Sequence, residues 1–463
     1  MDINENNLFD KLYSFSEKYG EIFEMKILHQ TFVSLNSESL IRKALATEPY
    51  TRFMNERTKF FYGESMLYGS QSVFTYGDPY SKVYNGMRKG MVKGLHVYGQ
   101  EGFNKFEENI QLELCRLNNK IESFGDCDFD VVALIQRSLT NVTSQLLIGE
   151  SLSDDDKDVN MFWDYVAGIN VFVNASVNNI LTFMPFLRYA PSFKSKYDFM
   201  SRGKDTIIER FFKSRKNNAT GSSEGLVDYL LDEQRKTIEE GKEVIFTDER
   251  IISNILETVG AGILTTWSVL TSSILCLVNH PEYQDKVFEE IDKNIGRDSS
   301  PNHSDKVHCP HLEALELEVH RLITVVPILA GSQCSRDLEF EGYNLSKGTL
   351  IIANIWYIHH NPKIWGDPWN FRPERFLDED GQLLPREHIF RRNCIPFAVG
   401  RRQCLGEQFA RSRYFLYMAT LLRKWKFVGS PGKFGSCDPR DSAYIENKVT
   451  YRAKSFFCTA VKR

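Results

Sequence analysis

One stretch of this 463-residue chain is far more specific than the rest of it: Phe397-Ala398-Val399-Gly400-Arg401-Arg402-Gln403-Cys404-Leu405-Gly406. It matches the pattern F-x-x-G-x-R-x-C-x-G at all five fixed positions. With equal residue frequencies, a match in a chain of this length arises by chance with a probability of roughly 10⁻⁴. The stretch therefore predicts a functional loop.

The cysteine of this loop stands just before a helical pattern that covers residues 407–422. Backbone N–H groups and the positive end of a helix dipole stabilise an anion at such a place, so the sequence predicts that Cys404 is presented as a thiolate. Gly400 and Gly406 permit a tight turn and the close approach of a flat ligand. For a single cysteine the alternative is a small buried hydrophobic residue, and that interpretation fits the other eight.

Composition is that of an ordinary globular protein. Hydrophobic residues make up 42% and charged residues 25%, which excludes a disordered or fibrous chain. The net charge of −4 gives no reason to expect nucleic acid as a partner. Nine cysteines without a C-x-x-C pair indicate a reducing compartment. The sequence contains neither eighteen consecutive apolar residues nor a recognisable signal peptide, so we expect no spanning helix within it.

The apolar residues follow mostly helical spacing. Steps of three and four predict helices over residues 8–19, 83–149 and 160–212. Short alternation predicts a strand pair over residues 23–35, and short strands with turns follow Val325. The predicted fold class is therefore mainly α with a small β portion.

The longest helix candidate is the apolar run 251–277, which has Gly260-Ala261-Gly262 at its middle. Each glycine inside a helix costs roughly 1 kcal/mol relative to alanine. Small residues are explained there if something bulky lies close against the helix backbone.

The cysteine stretch resembles the haem-binding loop of the cytochromes P450. The resemblance implies that Cys404 is the proximal ligand of a haem b iron and that Arg402 faces a haem propionate. Phe397, Gly400 and Gly406 would complete the cofactor loop.

The resemblance extends over nearly the whole chain and implies one catalytic domain over residues 1–463 with the cytochrome P450 fold. In that fold the haem would lie between the long central helix and the cysteine loop with its helix. Animal microsomal members begin with a membrane anchor, and we expect that it was removed from this sequence; a naturally anchor-free protein is the alternative.

A second family motif, E-x-x-R, corresponds to Glu318 and Arg321, whose spacing places both side chains on one helical face. By resemblance, Arg375 of Pro373-Glu374-Arg375-Phe376 joins them in a buried network that holds the cysteine loop. The neighbouring His359-His360 pair could suggest a metal, but we expect a structural role for it.

On the central helix, Ala261-Gly262-Ile263-Leu264-Thr265-Thr266 matches the family pattern A-G-x-[DE]-T-[TS] except at one position. The resemblance implies catalytic roles for Thr265 and Thr266 in oxygen activation and proton delivery, and contact of Ala261 with the haem. Leu264 replaces the usual acid, which puts the usual proton relay in doubt because leucine cannot carry a proton.

Further haem contacts are implied upstream. Arg88 would pair with a propionate, and Tyr84 would stand in for the tryptophan that commonly precedes it. The position after Pro327, often a basic anchor in the family, is Ile328. We therefore expect fewer polar contacts to the haem.

The implied function is insertion of one oxygen atom from O2 into a lipophilic substrate such as a steroid, fatty acid or planar xenobiotic. Apolar residues that would line the substrate site by family position are Val259, Ala261, Val326, Ile328, Leu329 and Val449. Two alternatives stay open: a haem-thiolate isomerase or dehydratase of a lipid peroxide, which Leu264 supports, and a non-enzymatic haem binder.

The implied partners are an NADPH-dependent flavoprotein reductase, with cytochrome b5 as a second electron donor, and a membrane surface; we expect a monomer. The reductase would dock on basic residues around the cysteine loop: Arg88, Lys89, Lys93, Arg391, Arg392, Arg401, Arg411 and Arg413. The expected location is the cytosolic face of the endoplasmic reticulum membrane, and the cytoplasm is the alternative.

The aromatic stretch 182–187 is either a buried helix end or an edge that contacts a membrane or admits substrate.

Overall fold

The structure is a computed structural model that describes residues 8–27, 29–97, 102–152, 156, 158–173, 175–217, 224–297, 299–448 and 450–463. The α-helices are α1 (Leu8–Tyr19), α2 (Glu38–Ala46), α3 (Tyr50–Phe53), α4 (Phe61–Met66), α5 (Lys82–Val97), α6 (Gly102–Phe124), α7 (Val131–Ile148), α8 (Asn160–Phe172), α9 (Ala175–Phe183), α10 (Pro191–Ile207), α11 (Ser214–Asn217), α12 (Leu226–Glu239), α13 (Asp248–Asn279), α14 (Pro281–Asn294), α15 (Pro310–Ile323), α16 (Ile355–His360), α17 (Pro362–Trp365), α18 (Ile389–Asn393) and α19 (Glu407–Lys424). A π-helical segment, Ile208–Lys213, joins α10 to α11.

The strands are β1 (Ile22–Ile27), β2 (Gln30–Leu35), β3 (Glu56–Arg57), β4 (Phe129–Asp130), β5 (Leu329–Gln333), β6 (Leu338–Phe340), β7 (Tyr343–Leu345), β8 (Leu350–Ala353), β9 (Trp425–Gly429), β10 (Ile445–Asn447), β11 (Tyr451–Ala453) and β12 (Phe457–Lys462). The larger sheet has the order β1-β2-β8-β5-β3, in which β2 and β8 run parallel. A second sheet has the order β4-β12-β9, and β10-β11 and β6-β7 are two-stranded. The predicted fold class, mainly α with a small β portion, is confirmed.

The central element is α13, a 32-residue helix. The Thr247 hydroxyl caps its N-terminus by accepting a hydrogen bond from the Arg250 N–H, and two acidic residues in the first turn suit the helix dipole. The helix stops at His280 because Pro281 follows and begins the next helix.

By length and composition, α13 could cross a membrane. The sequence analysis did not predict this, because polar residues interrupt the apolar run before it reaches eighteen residues. However, 83% of its most apolar window is buried inside the protein. The helix packs with α6, α7, α15 and α19 in one apolar cluster and with α4, α5, α8 and α12 in another. Burial on both sides explains its apolar sequence, since a helix that is apolar all round is a core helix.

Candidate functional site

The cysteine loop is a tight turn held by its own backbone. The Cys404 N–H donates to the Phe397 carbonyl at 2.9 Å, and the Gln403 N–H donates to the Gly400 carbonyl at 3.1 Å. Gly400 has φ +75°, and a Cβ there would lie 2.2 Å from the carbonyl oxygen of Leu45. Two features therefore require glycine at position 400. Its backbone lies in the left-handed region, and the end of α2 leaves no space for a side chain.

Cys404 is accessible to solvent, whereas six of the nine cysteines are buried. Many protein atoms still surround it, and this partial burial raises the pKa of its thiol; hydrogen bonding from the Gly406 N–H and the charges of Arg88 and Arg411 oppose that rise without cancelling it. In the protein alone, burial therefore outweighs these contributions, and the thiolate predicted from the sequence remains a prediction. A bound metal ion would reverse this, because a coordinating thiol loses its proton.

Behind the loop lies a buried charged network. The Glu318 carboxylate accepts hydrogen bonds from Nε and Nη2 of Arg321, each at 2.8 Å, and Arg375 Nε lies 3.2 Å from it. All three side chains have 0% exposure. Buried charges are stable only if their hydrogen-bonding groups have partners. The guanidinium of Arg321 meets this condition in part by donating to the backbone carbonyls of His359 and Pro368.

His359 connects this network to the cysteine loop. Its Nε2 accepts the N–H of Ile395 at 3.1 Å, so its Nδ1 carries the proton and donates to the Thr324 hydroxyl at 3.0 Å. The Thr324 hydroxyl in turn donates to the Arg321 carbonyl at 2.7 Å. Burial lowers the pKa of His359 well below its usual range, which keeps the imidazole neutral as this pattern requires. Among the described residues no cluster of metal ligands is found, and the pair His359-His360 makes structural hydrogen bonds.

Two guanidinium groups lie close together at the site, and the first belongs to the loop itself. Arg402 donates to the backbone carbonyls of Asn55, Val73, Tyr76 and Gly77, and its charge lies 4.5 Å from the Tyr84 ring.

The second group is Arg57 of β3, which the sequence analysis missed. Its pKa is lowered to about 9, first by burial and then by the nearby charge of Arg402, while burial lowers the pKa of Arg402 to about 10. Two neighbouring positive charges suit an anionic ligand, and the carboxyl of Glu257 already acts on Arg57 in that sense. No motif flags Arg57; only the fold brings it to Arg402.

Tyr84 and Arg88 lie on α5, which packs against the loop. The buried Tyr84 hydroxyl donates to the Arg401 carbonyl at 2.9 Å. Arg88 is half-buried and donates to the Gln403 carbonyl at 3.2 Å. Both residues therefore support the loop backbone directly.

Helix α13 presents a stripe of accessible residues in an otherwise buried helix. Ala261 is exposed, Gly262 and Thr265 are half-buried, and a Cβ at Gly262 would meet no atom within 4 Å. The Thr265 hydroxyl donates to the Ala261 carbonyl at 2.8 Å. This face can accept a flat group against the backbone, as the small residues predicted.

The two neighbours of Thr265 point away from this stripe. Leu264 is only 3% exposed and belongs to the apolar cluster that contains Trp267. Thr266 is buried and accepts a hydrogen bond from Arg413, which also donates to the Gly262 carbonyl at 2.7 Å. Thr266 therefore joins α13 to α19 and is not on the accessible face, so the catalytic role expected for it has no support in the structure.

The predicted wall residues differ in accessibility. Val259 is completely buried in the apolar cluster of α4, α8 and α12, so a ligand could not touch it without repacking. Val326, Ile328 and Leu329 are half-buried on the segment that leads into β5. Val449 lies outside the described residues.

The predicted basic surface is smaller than expected. Lys89 and Lys93 are exposed, but Arg413 is 2% exposed, so its assignment to a docking surface was wrong. Arg411 is paired with Glu316 and Glu407. Sequence alone cannot separate these cases, since a basic residue on a helix can face the core when backbone carbonyls satisfy it.

The stretch 182–187 is not a buried helix end. Phe183 is 65% and Phe186 64% exposed, and Met184 is half exposed. Ile180 and Tyr189, close to this stretch in sequence, are also exposed. Contiguous large apolar side chains on a surface indicate a contact with a membrane, a partner or a ligand.

These residues fit a haem. An accessible cysteine sulfur can bind iron, the guanidinium groups of Arg57 and Arg402 suit propionate carboxylates, and the stripe at Ala261 and Gly262 leaves room for a flat ring. Cys404 would hold the iron, while Tyr84 and Arg88 would keep the loop in shape around it.

Comparison with known proteins agrees with this arrangement. The sequence profile described as Cytochrome P450 matches residues 1–443. The chain is 28% identical to cytochrome P450 1A1 of the dab Limanda limanda, over 96% of this chain and 87% of that protein. It is also 28% identical to cytochrome P450 2U1 of cattle, over 89% of this chain and 74% of that protein.

A solved structure is similar over the whole chain. A zebrafish cytochrome P450 in complex with progesterone superimposes with a TM-score of 0.83 at 24% identity, covering 99% of this chain and 100% of that one. At this level of identity the likeness establishes the fold.

Proposed function

Since this chain belongs to the cytochrome P450 family, a class of haem-iron monooxygenases, we propose that it inserts one oxygen atom of O2 into a lipophilic substrate with electrons from NADPH through a flavoprotein reductase. The observation that carries the proposal is the accessible Cys404, set in a loop that a fully buried charged network supports from behind.

A haem b held by a cysteine thiolate supplies activation of dioxygen when it is bound. The residues of the chain hold and shape the site around it. The Glu318–Arg321–Arg375 network fixes the loop through His359 and Ile395.

On the other side of the site, the Thr265 hydroxyl donates a hydrogen bond to the Ala261 carbonyl, and its oxygen can still accept one. Leu264 lies in an apolar cluster that excludes water from its side of α13, so its side chain does not relay protons. We infer that protons reach Thr265 through water on the accessible face of α13.

The substrate class follows from the apolar surroundings. Val326, Ile328 and Leu329 are half-buried and Ala261 is exposed, which suits a lipophilic molecule, and the zebrafish protein was solved with progesterone. A steroid is therefore our first choice, with fatty acids and planar aromatic compounds next.

We further propose that the reductase docks at exposed Lys89 and Lys93 on α5, where an acidic flavoprotein would be attracted. Cytochrome b5 would use the same surface, and the protein would act as a monomer in one catalytic domain.

The patch of Phe183 and Phe186 would rest on the endoplasmic reticulum membrane, since exposed aromatic side chains insert at such interfaces. Replacing both phenylalanines with aspartate should abolish co-sedimentation with phosphatidylcholine vesicles; unchanged binding would contradict the assignment.

The test of the activity is incubation of haem-loaded protein with reductase, NADPH, isotopically heavy dioxygen and a pool of steroids, fatty acids and aromatic compounds. Mass spectrometry should find one heavy oxygen atom in a product. Cys404→Ser should abolish this product, whereas Cys127→Ser, at another exposed cysteine, should retain it.

A second candidate function is isomerisation or dehydration of a lipid peroxide, and the observation that favours it is the buried Leu264 in place of an acid. Conversion of a fatty-acid hydroperoxide without NADPH, together with no labelled product, would support it and refute the monooxygenase proposal.

A further inference from the structure

Two of the cysteines lie together at the C-terminal end of α13. Cys276 belongs to the last turn of that helix and is completely buried, whereas Cys437 lies in the loop 430–444 between β9 and β10 and is 8% exposed. The thiol of Cys276 donates a hydrogen bond to the sulfur of Cys437. Two thiols in contact can react in a way that a single buried cysteine cannot, so packing alone does not describe this pair.

A histidine and a glutamate complete the cluster. His280, which follows the last residue of α13, has its Nε2 4.0 Å from the Cys437 sulfur, and its Nδ1 lies 3.4 Å from a carboxylate oxygen of Glu282. The His280 ring also packs on Phe371, with 4.7 Å between the ring centroids, which restricts its orientation. A sulfur beside an imidazole that a carboxylate holds is the arrangement by which proteins activate a nucleophile.

The groups around Cys437 favour its thiolate. Hydrogen bonding from the Cys276 thiol lowers the pKa of Cys437, and His280 lowers it further, while burial acts in the opposite direction. The contact with Cys437 raises the pKa of His280, and Glu282 adds to that rise. Burial, followed by the interaction with Cys437, raises the pKa of Cys276 well above its usual range, so that thiol keeps its proton. The pair therefore contains one nucleophilic sulfur and one protonated neighbour.

We propose that Cys437 is a site of oxidation by hydrogen peroxide and that Cys276 converts the product into a disulfide. In the first step the Cys437 sulfur attacks one peroxide oxygen and the O–O bond breaks, which gives a sulfenic acid. The hydroxide that leaves takes a proton from His280 and departs as water. In the second step the Cys276 sulfur attacks the sulfur of Cys437 and forms the S–S bond, and the sulfenic hydroxyl leaves with the Cys276 proton as water. One peroxide thus oxidises two thiols and yields two water molecules.

This site is separate from the chemistry proposed at Cys404. Cys276 lies eleven residues beyond Thr265 on α13, which is about 16 Å along the helix axis. The disulfide would join α13 to the loop 430–444, and these elements are already in contact, because Asn279 Nδ2 donates to the Gly435 carbonyl at 2.9 Å.

The experiment compares cysteines within one molecule. Haem-loaded protein is treated with increasing hydrogen peroxide until half of Cys127 is oxidised, the remaining thiols are alkylated, and unreduced peptides are analysed by mass spectrometry. Cys127 and Cys115 are exposed, so they should react first if access alone decides. We expect the opposite, with Cys437 consumed about ten-fold or more faster, because the thiolate is the form that reacts. The product should be a linked pair of peptides with Cys276 and Cys437 that has lost two hydrogen atoms.

Two variants separate the roles of these residues. Cys276→Ser should stop the reaction at the sulfenic acid of Cys437, which dimedone captures as an adduct. His280→Gln keeps both thiols but removes the group that accepts the proton of Cys437. It should slow the oxidation of Cys437 about ten-fold and leave that of Cys127 unchanged, and it serves if the first variant does not fold.

Oxidation of Cys127 while Cys276 and Cys437 stay free would overturn the proposal. A disulfide between Cys437 and any other cysteine, or an unchanged rate at Cys437 in His280→Gln, would do so as well. The measurement needs neither reductase, NADPH nor substrate, so its outcome does not depend on the proposed monooxygenase activity.

Discussion

Glu318→Gln gives the sharpest test of how the site is held. The carboxylate of Glu318 accepts two hydrogen bonds from Arg321, lies 3.2 Å from Arg375 Nε and accepts the backbone N–H of Arg372 at 2.8 Å. With the three side chains at 0% exposure, water cannot replace the lost charge. Removing one partner of a buried ion pair costs about 3–5 kcal/mol. Arg321 loses its carboxylate partner, while Arg375 keeps Asp367 at 3.3 Å, so we expect a loss within that range.

The assay is urea unfolding followed by circular dichroism, with the haem content of the purified protein as a second measurement. Haem content should fall as well, because Arg321 donates to the carbonyl of His359, whose ring fixes Ile395 at the start of the cysteine loop. The control is Glu374→Gln: its partner Lys286 is 49% exposed, so at most about 1 kcal/mol is expected. A loss below about 1 kcal/mol in Glu318→Gln with normal haem content would refute the reasoning.

Three further variants test the packing. Gly400→Ala should lower the free energy of unfolding by about 2 kcal/mol or more, because its φ is +75° and its Cβ would lie 2.2 Å from the Leu45 carbonyl oxygen; Gly342→Ala, with φ +79° and open space, should cost only about 1 kcal/mol. Burial lowers the pKa of His320 from 6.5 to about 4, so the unfolded state binds a proton first and stability should fall by about 3 kcal/mol as pH drops through that window. His320→Gln should remove this dependence, and an unchanged urea midpoint profile against pH would contradict it. Leu264→Asp should lower the free energy of unfolding by about 3 kcal/mol or more, since it places a carboxyl in an apolar cluster; a stable variant with better coupled turnover would show that the side chain reaches the site.

Much of the fold was predictable because its signals are local. The spacing of apolar residues predicted a helix over residues 8–19, and α1 covers the same residues. The strand pair over residues 23–35 is β1 and β2, and the long apolar run is α13. These patterns depend on backbone geometry within a few residues, so neighbours in sequence carry the information.

The exposure of single residues was less predictable. Leu264 replaces an acid in the family motif, yet the sequence could not show that its side chain faces the core. Arg413 reads as a surface charge but lies buried, donating to the Gly262 carbonyl. In both cases the partner lies on another helix, and local spacing contains no information about it.

By itself, the sequence determined the family, the cysteine loop and the helical framework, because each is written in contiguous residues or fixed spacings. Only the tertiary structure decided which side chains meet. Arg57 reached Arg402, and Glu257 reached Tyr62 and Tyr165, through the packing of elements distant in the chain. Contacts of this kind depend on how apolar faces are buried together, and many different pairings are compatible with the same local pattern.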